Sequence, residues 1–131
     1  MIEIVVKGQP VAWQRAGRNG KRSFTPAKMR AQEELVRLAF IQTGETMLEG
    51  AIEAEFIFVY EPPKSLSEKR RRALMGKPKL TRPDSDNLIK LCEDALNQVA
   101  YTDDSRIWKT SSEKIYGPEA MTVIRLREAG E

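Results

Sequence analysis

Between Ala51 and Tyr60 the chain alternates, and this alternation limits its fold more than any other feature. Ile52, Ala54, Phe56, Phe58 and Tyr60 fall on one side of an extended backbone, with Glu53 and Glu55 on the other. A strand with one wet end and a buried far end needs a sheet beside it and an apolar layer over one face. Ile2–Lys7 is a second β-branched run, ended by Gly8 and Pro10. Ile107–Tyr116 and Met121–Leu126 read as a closing pair of strands joined around Gly117-Pro118.

Helical signals fall between these strands. Thr25-Pro26 offers a threonine N-cap and a proline at the first helical position. The helix it opens is expected to run to about Gln42 and stop at Gly44, with Met29, Leu35, Val36, Ala39 and Phe40 mostly on one face. Ser65-Leu66-Ser67-Glu68 has capping-box spacing and opens a short basic helix that stops near Gly76. Lys77–Pro83 is a proline-bounded extended segment, Asn87 to about Val99 a helix, and Trp13–Phe24 a loop or loose hairpin. With 131 residues and no repeat or low-complexity linker, residues 1–131 are expected to form a single domain. The expected fold class is α/β or α+β, one mixed β-sheet packed against a few helices.

The chain has no histidine. That removes serine–histidine and cysteine–histidine triads, histidine-ligated zinc and histidine general bases. The one cysteine, Cys92, excludes an internal disulfide and a cysteine-rich zinc site, and its apolar helical setting reads as a buried thiol. Hydrolytic chemistry must then rest on carboxylates, lysine, or a hard metal held by oxygen. No apolar run approaches the roughly 18 residues of a membrane span, and Met1-Ile2-Glu3-Ile4 does not read as a signal peptide, so a cytoplasmic protein is expected.

Net charge is only +3, but it is unevenly spread. Arg15, Arg18, Lys21 and Arg22 form one basic segment. Lys64, Lys69, Arg70, Arg71, Arg72, Lys77, Lys79 and Arg82 form another, whereas acids outnumber bases from Glu93 to Asp104. Either basic segment alone would serve as ordinary solvated surface; together with the acidic stretch they suit a polyanion around a cation site.

Pro83-Asp84-Ser85-Asp86-Asn87 sets two carboxylates two residues apart, a spacing that turns both to one side of an extended segment. In the helix that follows, Asp86, Lys90, Glu93 and Asn97 share one stripe, and Leu88, Leu91, Cys92, Ala95, Leu96 and Val99 the opposite one. Lys90 is thus aimed toward the acidic pair. Tyr101-Thr102-Asp103-Asp104-Ser105 supplies a second pair, which returns to the helix start if the next strand runs back alongside Lys79–Asp84. Oxygen ligands of this kind suit Mg²⁺ or Mn²⁺, and the whole set matches phosphodiester hydrolysis. Singly, each has a plainer account: Asp86 as an N-cap, Asp84 and Asp103-Asp104 as turn formers, Lys90 paired with Asp86 or Asp94. Only the combination favours a site.

The run Arg82-Pro83-Asp84-Ser85-Asp86-Asn87-Leu88-Ile89-Lys90, then Asp94-Ala95-Leu96-Asn97, then Tyr101-Thr102-Asp103-Asp104 with Ile107, resembles the RusA family of Holliday-junction resolvases. Gly8-Gln9-Pro10, Arg15 and Phe24-Thr25-Pro26 extend the likeness over nearly the whole chain. The resemblance implies a homodimeric, Mg²⁺-dependent endonuclease that resolves four-way DNA junctions by paired nicks in recombination and repair, with Mn²⁺ as a substitute. It makes Asp84, Asp86 and Asp104 metal-binding carboxylates, Asp103 a neighbouring acid, and Lys90 the catalytic lysine. Arg15, Arg18, Lys21, Arg22, Arg70, Arg71, Arg72, Lys79 and Arg82 are the expected DNA contacts. Ala16-Gly17 stands where the family pattern has proline and arginine. The apolar N-terminal strand and its loop are candidates for the dimer interface. A nuclease of other branched DNA, or a non-catalytic branched-DNA-binding module, are the alternatives. A D-x-D sugar-nucleotide transferase lacks its glycine-rich phosphate loop here.

Overall fold

The computed structural model describes residues 1–15, 17–19, 22–24 and 27–130, with 17–19 and 22–24 described by backbone alone. The expected threonine–proline helix entry at 25–26 and Lys21 lie outside the described residues. In chain order the elements are β1 (Ile2–Lys7), β2 (Gly17–Asn19), β3 (Arg22–Phe24), α1 (Ala27–Gln42) and β4 (Ile52–Tyr60). There follow α2 (Glu68–Leu74), α3 (Ser85–Leu96), a 3₁₀ turn (Asp104–Arg106), β5 (Ile107–Tyr116) and β6 (Met121–Glu128). β2 and β3 pair as a small antiparallel hairpin, within the stretch expected to be a loop or loose hairpin.

The main sheet has the order β1-β6-β4-β5. β6 runs antiparallel to both β1 and β4, and β4 runs parallel to β5. The fold is therefore α+β on a mixed sheet, as the interleaved strands and helices suggest. The last two strands are joined around Gly117-Pro118, yet β4 lies between them. β4 presents alternating apolar residues to the core and so takes the central place, with a partner on each side. A parallel pair such as β4 and β5 cannot be joined by a tight turn; the chain must cross a face of the sheet, and α3 makes that crossing.

All the apolar alternation points to one face. Ile2, Ile4 and Val6 of β1, Ala54, Phe56, Phe58 and Tyr60 of β4, and Ile124 and Leu126 of β6 are buried there. α3 covers them with Leu88, Leu91, Cys92, Ala95 and Leu96, and α1 with Met29, Val36 and Phe40. Burying each of the three leucines contributes roughly 2 kcal/mol. Leu35, expected inside, is 48% exposed: the buried positions of α1 are Met29, Gln32, Val36 and Phe40, which leaves Leu35, Leu38 and Ile41 facing out.

Two helix starts also differ from the sequence reading. α2 is capped by Ser67, whose hydroxyl accepts the Arg70 N–H at 3.3 Å, and not by Ser65. α3 begins at Ser85, because the first turn needs no apolar contact to form and Asp84 takes the N-cap backbone position. Asp84 and Asp86 therefore lie at the N-cap and on the first turn of a helix, and not in the extended segment that their spacing suggested.

The stretch ahead of α3 is pinned to the end of β5. The Lys79 N–H donates to Lys114 O at 2.9 Å and the Tyr116 N–H to Lys77 O at 3.0 Å. Lys114 Nζ donates to Thr81 O at 2.8 Å and Pro83 O at 2.7 Å. β5 thus does run back along the segment before Asp84. If α3 is held by its apolar stripe, Leu88→Ala should cost about 3 kcal/mol in urea unfolding; a loss under about 1 kcal/mol would mean that α3 is not docked on β4.

Candidate active site

The start of α3 carries the first acids. Asp84 and Asp86 are both exposed. Asp84 makes no side-chain capping bond, and Asp86 Oδ1 accepts the Asn87 N–H at 3.0 Å. Both lie where the unpaired amides of the first turn carry partial positive charge. The N-terminal segment crosses at this point, with the Trp13 N–H donating to Asn87 O at 2.9 Å.

One turn further on, Lys90 Nζ stands 5.0 Å over the Trp13 ring and 3.5 Å from Asp94 Oδ2. The indole face and the carboxylate hold the ammonium along the polar stripe of the helix. Trp13 was not among the expected site residues. Nothing in its local sequence marks it, since only the fold brings the loop to α3.

The return before β5 brings Asp104 to the third turn of α3. Burial raises the Glu93 carboxyl to about 6, and the charges of Asp104 and Asp94 add to the rise, with Lys90 opposing it. Seven residues separate Glu93 from Asp86, about 10 Å along the helix axis. The acids therefore form a row, with Asp84 and Asp86 at one end, Glu93, Asp94 and Asp104 at the other, and Lys90 between them. On α1, Glu33 is likewise raised, by burial first and by the charge of Asp94 second. Glu93 was legible only as a member of the polar stripe; its half-buried setting comes from packing. Tyr101, fully buried, donates its hydroxyl to Glu93 O at 2.9 Å and anchors this end.

Asp103 has a different place. Its carboxylate caps the 3₁₀ turn, accepting the Ser105 N–H at 3.0 Å, and those hydrogen bonds lower its pKa. Asp104 is the acid of the two that faces Glu93.

The basic residues are spread around this row. Arg15 and Arg82 are exposed. Arg82 lines a cleft of about 430 Å³ with Trp13, Gln14, Lys28, Asp84 and Asn87, so Lys28 of α1 joins the basic rim. Lys79 is not a free surface charge. Its ammonium lies 4.9 Å from the Tyr60 ring and 5.7 Å from the Tyr116 ring, is hydrogen-bonded to the Thr81 hydroxyl, and has its pKa lowered by desolvation. On α2, Arg70 is exposed, Arg72 pairs with Glu68 at 3.7 Å, and Arg71 is half-buried with an unpartnered Nε. Arg18 and Arg22 are strand residues of the small hairpin, whose side chains are not described.

Among the described residues, no three carboxylates stand close enough together to enclose a metal ion. The exposed Asp84–Asp86 pair instead offers part of an oxygen shell. That fits Mg²⁺, which keeps several waters and takes one or two carboxylates plus phosphate oxygens.

Fold and site together define a small α+β domain that sets an acidic row, with one lysine inside it, beside a basic rim. The family model described as "Endodeoxyribonuclease RusA" matches residues 4–127. The chain belongs to the RusA family, a family of endodeoxyribonucleases. It is also 34% identical to the uncharacterized protein YqaN of Bacillus subtilis (strain 168), over 97% of this chain and 96% of that one. Among the described residues, no helix is long and apolar enough to cross a membrane.

The acidic row has a consequence for pH. Because the folded state raises the pKa of Glu93, it holds that proton more tightly than the unfolded chain, and ionisation weakens folding. The penalty is absent below the ordinary value of 4.5, grows as pH rises through the window up to about 6, and is complete above it. Glu93→Gln should therefore stabilise the protein at pH 7.5 by about 1 kcal/mol, half the full shift because the group is partly solvated. At pH 4 the two proteins should unfold together in urea. A variant less stable at both pH values would show that the carboxylate is held by an attraction.

Proposed function

We propose that the protein is a Holliday-junction resolvase, a structure-selective endodeoxyribonuclease that makes paired, metal-dependent nicks in four-way junctions during recombination and repair. The observation that carries this reading is the lysine-centred acidic row of α3, set beside a basic rim in a member of the RusA family. Asp84 and Asp86 would hold a divalent cation, Mg²⁺ with Mn²⁺ as substitute, and Asp104, at the far end of the row, would join them as the row closes on the bound cation. Bound there, such a cation supplies a phosphate-oxygen contact, an acidified water and charge for the leaving alkoxide.

The chain's own groups do the rest. Lys90, steadied by Trp13 and Asp94, places a positive charge over the row, where it offsets the negative charge that develops on an attacked phosphate. Asp103 serves the turn that presents Asp104. Arg82 and Lys28 on the cleft beside Asp84 hold the flanking backbone, and Arg70–Arg72, with Arg15, Arg18, Lys21 and Arg22, extend the phosphate contacts. Shape and deformability of the junction give selectivity over linear duplex. Two cuts related by a two-fold axis call for a homodimer, and a DNA substrate places the enzyme in the cytoplasm.

The test is cleavage of a labelled synthetic four-way junction, with and without Mg²⁺. The wild type should give paired symmetric nicks that need the metal and leave a linear duplex intact. Asp84→Asn and Asp86→Asn should bind the junction but cut at least about a hundredfold more slowly. Tight binding with no cleavage in Mg²⁺ or Mn²⁺ would leave a structure-selective binding protein, and equal cutting of flaps and junctions a broader nuclease. Lys90→Ala should slow turnover by on the order of a hundredfold with an unchanged melting temperature; a lower melting temperature with intact turnover would make Lys90 structural.

A further inference from the structure

We propose that the cavity walled by Tyr60, Tyr116 and Lys79 receives one unstacked base of the DNA strand that passes Asp84, a subsite that rests on the nuclease reading above. The cavity has a volume of about 600 Å³. Its walls are the ends of β4 and β5, the segment before α3 and the residues that follow β1. Each wall is tied down by bonds within the chain. Tyr60 is buried, its hydroxyl donates to Pro10 O at 3.4 Å, and its carbonyl accepts the Gly117 N–H at 2.9 Å. The Gly8 N–H donates to Ala120 O at 3.0 Å, and Lys77–Lys79 is bonded to Lys114 and Tyr116. A hollow whose walls are already fixed is formed before its ligand arrives.

Its place points to DNA. Gln9 lines both this cavity and the cleft that carries Asp84, and Thr81 of the one is followed in the chain by Arg82 of the other. Thr81 and Asp84 are three residues apart, which is at most about 10 Å of chain. That is about three nucleotides of a stacked strand. A strand with a phosphate at Asp84 and Asp86 therefore passes the cavity within a few nucleotides of that phosphate.

The lining selects a base over a phosphate. Lys64 and Lys79 alone would suit an anion, but Glu61 stands with them and repels one. The tyrosine rings and Pro62 supply apolar walls for a flat ligand, with a few polar groups set among them. Lys79 Nζ lies over both rings and donates to the Thr81 hydroxyl, which leaves it two further donors. Glu61 Oε2 accepts the Ala120 N–H at 3.3 Å, and Oε1 remains to accept from a ligand. Together the two side chains offer one donor and one acceptor to the edge of a base. Each base orders its own donors and acceptors differently, so the pair favours some bases over others. A base can enter only after leaving its stack, which is costly within continuous duplex and cheaper where pairing is interrupted. The cavity thus adds to the preference for branched DNA as well as setting a base preference beside the cut.

Photo-cross-linking in EDTA tests this apart from cleavage. Four-way junctions carry one iodouracil or iodocytosine, walked through the nucleotides around the branch point, and are irradiated with the full chain bound. One position should link to Tyr116 or another residue of the cavity, located by peptide mapping, and linear duplex of the same sequence should not. With each of the four bases at that position, junction affinity should spread at least about tenfold. Glu61→Gln keeps a carbonyl for the Ala120 N–H and should change the order of preference, whereas Glu34→Gln on α1 should leave it unaltered. Links that fall outside the cavity, or that form equally on linear duplex, would overturn the proposal. So would a spread under about twofold that Glu61→Gln does not alter, or a cavity that binds free nucleoside monophosphate in dialysis but never links to the junction. A protein that links in the cavity and cuts no junction in Mg²⁺ would sink the cleavage reading and keep the subsite. One that cuts junctions without such links would do the reverse.

Discussion

Everything in this molecule depends on the docking of α3 onto the inner face of β4. β4 and β5 are parallel, so the chain between them must cross the sheet, and the crossing element must be apolar toward the sheet and polar outward. α3 satisfies both demands in twelve residues. Leu88, Leu91, Cys92, Ala95 and Leu96 are buried on one side, and Asp86, Lys90 and Glu93 are left on the other. The crossover that completes the sheet therefore also displays the chemistry. The loop after it must lead into β5, which is why Asp104 comes back beside the same helix.

The row so formed is electrostatically unsatisfied by itself. Glu93, Asp94 and Asp104 crowd one end of α3, Glu33 faces Asp94 from α1, and Lys90 is the cation whose charge opposes the rise at Glu93. Like charges brought together and partly desolvated raise the cost of ionisation. A surface arranged this way gains from a bound cation and, beyond it, from the phosphate that the cation attracts. Other basic residues gather at the Asp84 end, as Arg82 and Lys28 on the cleft, or lie on α2, so they leave the crowded Glu93 end un-neutralised.

How much of this the sequence displayed follows from the range of each interaction. The alternation of β4 and the two faces of α3 are local and periodic, and both were plain in the chain. So was the mixed strand and helix order that gives α+β. Three features were not legible, for one reason. The strand order, with β4 between β5 and β6, depends on which strand has two apolar neighbours to satisfy. The place of Trp13 under Lys90 depends on a loop crossing from the far end of the chain. Glu93 acquires its raised pKa from residues that meet it only after packing. The motif around Asp84–Lys90 named the family, and the family model over residues 4–127 agrees with it. The motif did not show that Asp103 is occupied by its turn, because a carboxylate that caps and one that stays free look the same in sequence.

One divalent cation is proposed to draw together two stretches of chain, around Asp84–Asp86 and around Asp104, on the face of α3. Iron-directed cleavage of the protein tests it most directly. Fe²⁺ takes the place of Mg²⁺, and ascorbate with peroxide then breaks the backbone wherever the metal sits. Scission is expected near residues 84–86 and near 103–105, suppressed at both by excess Mg²⁺ and lost in Asp84→Asn. Scission at only one of the two stretches, or at neither, would contradict it.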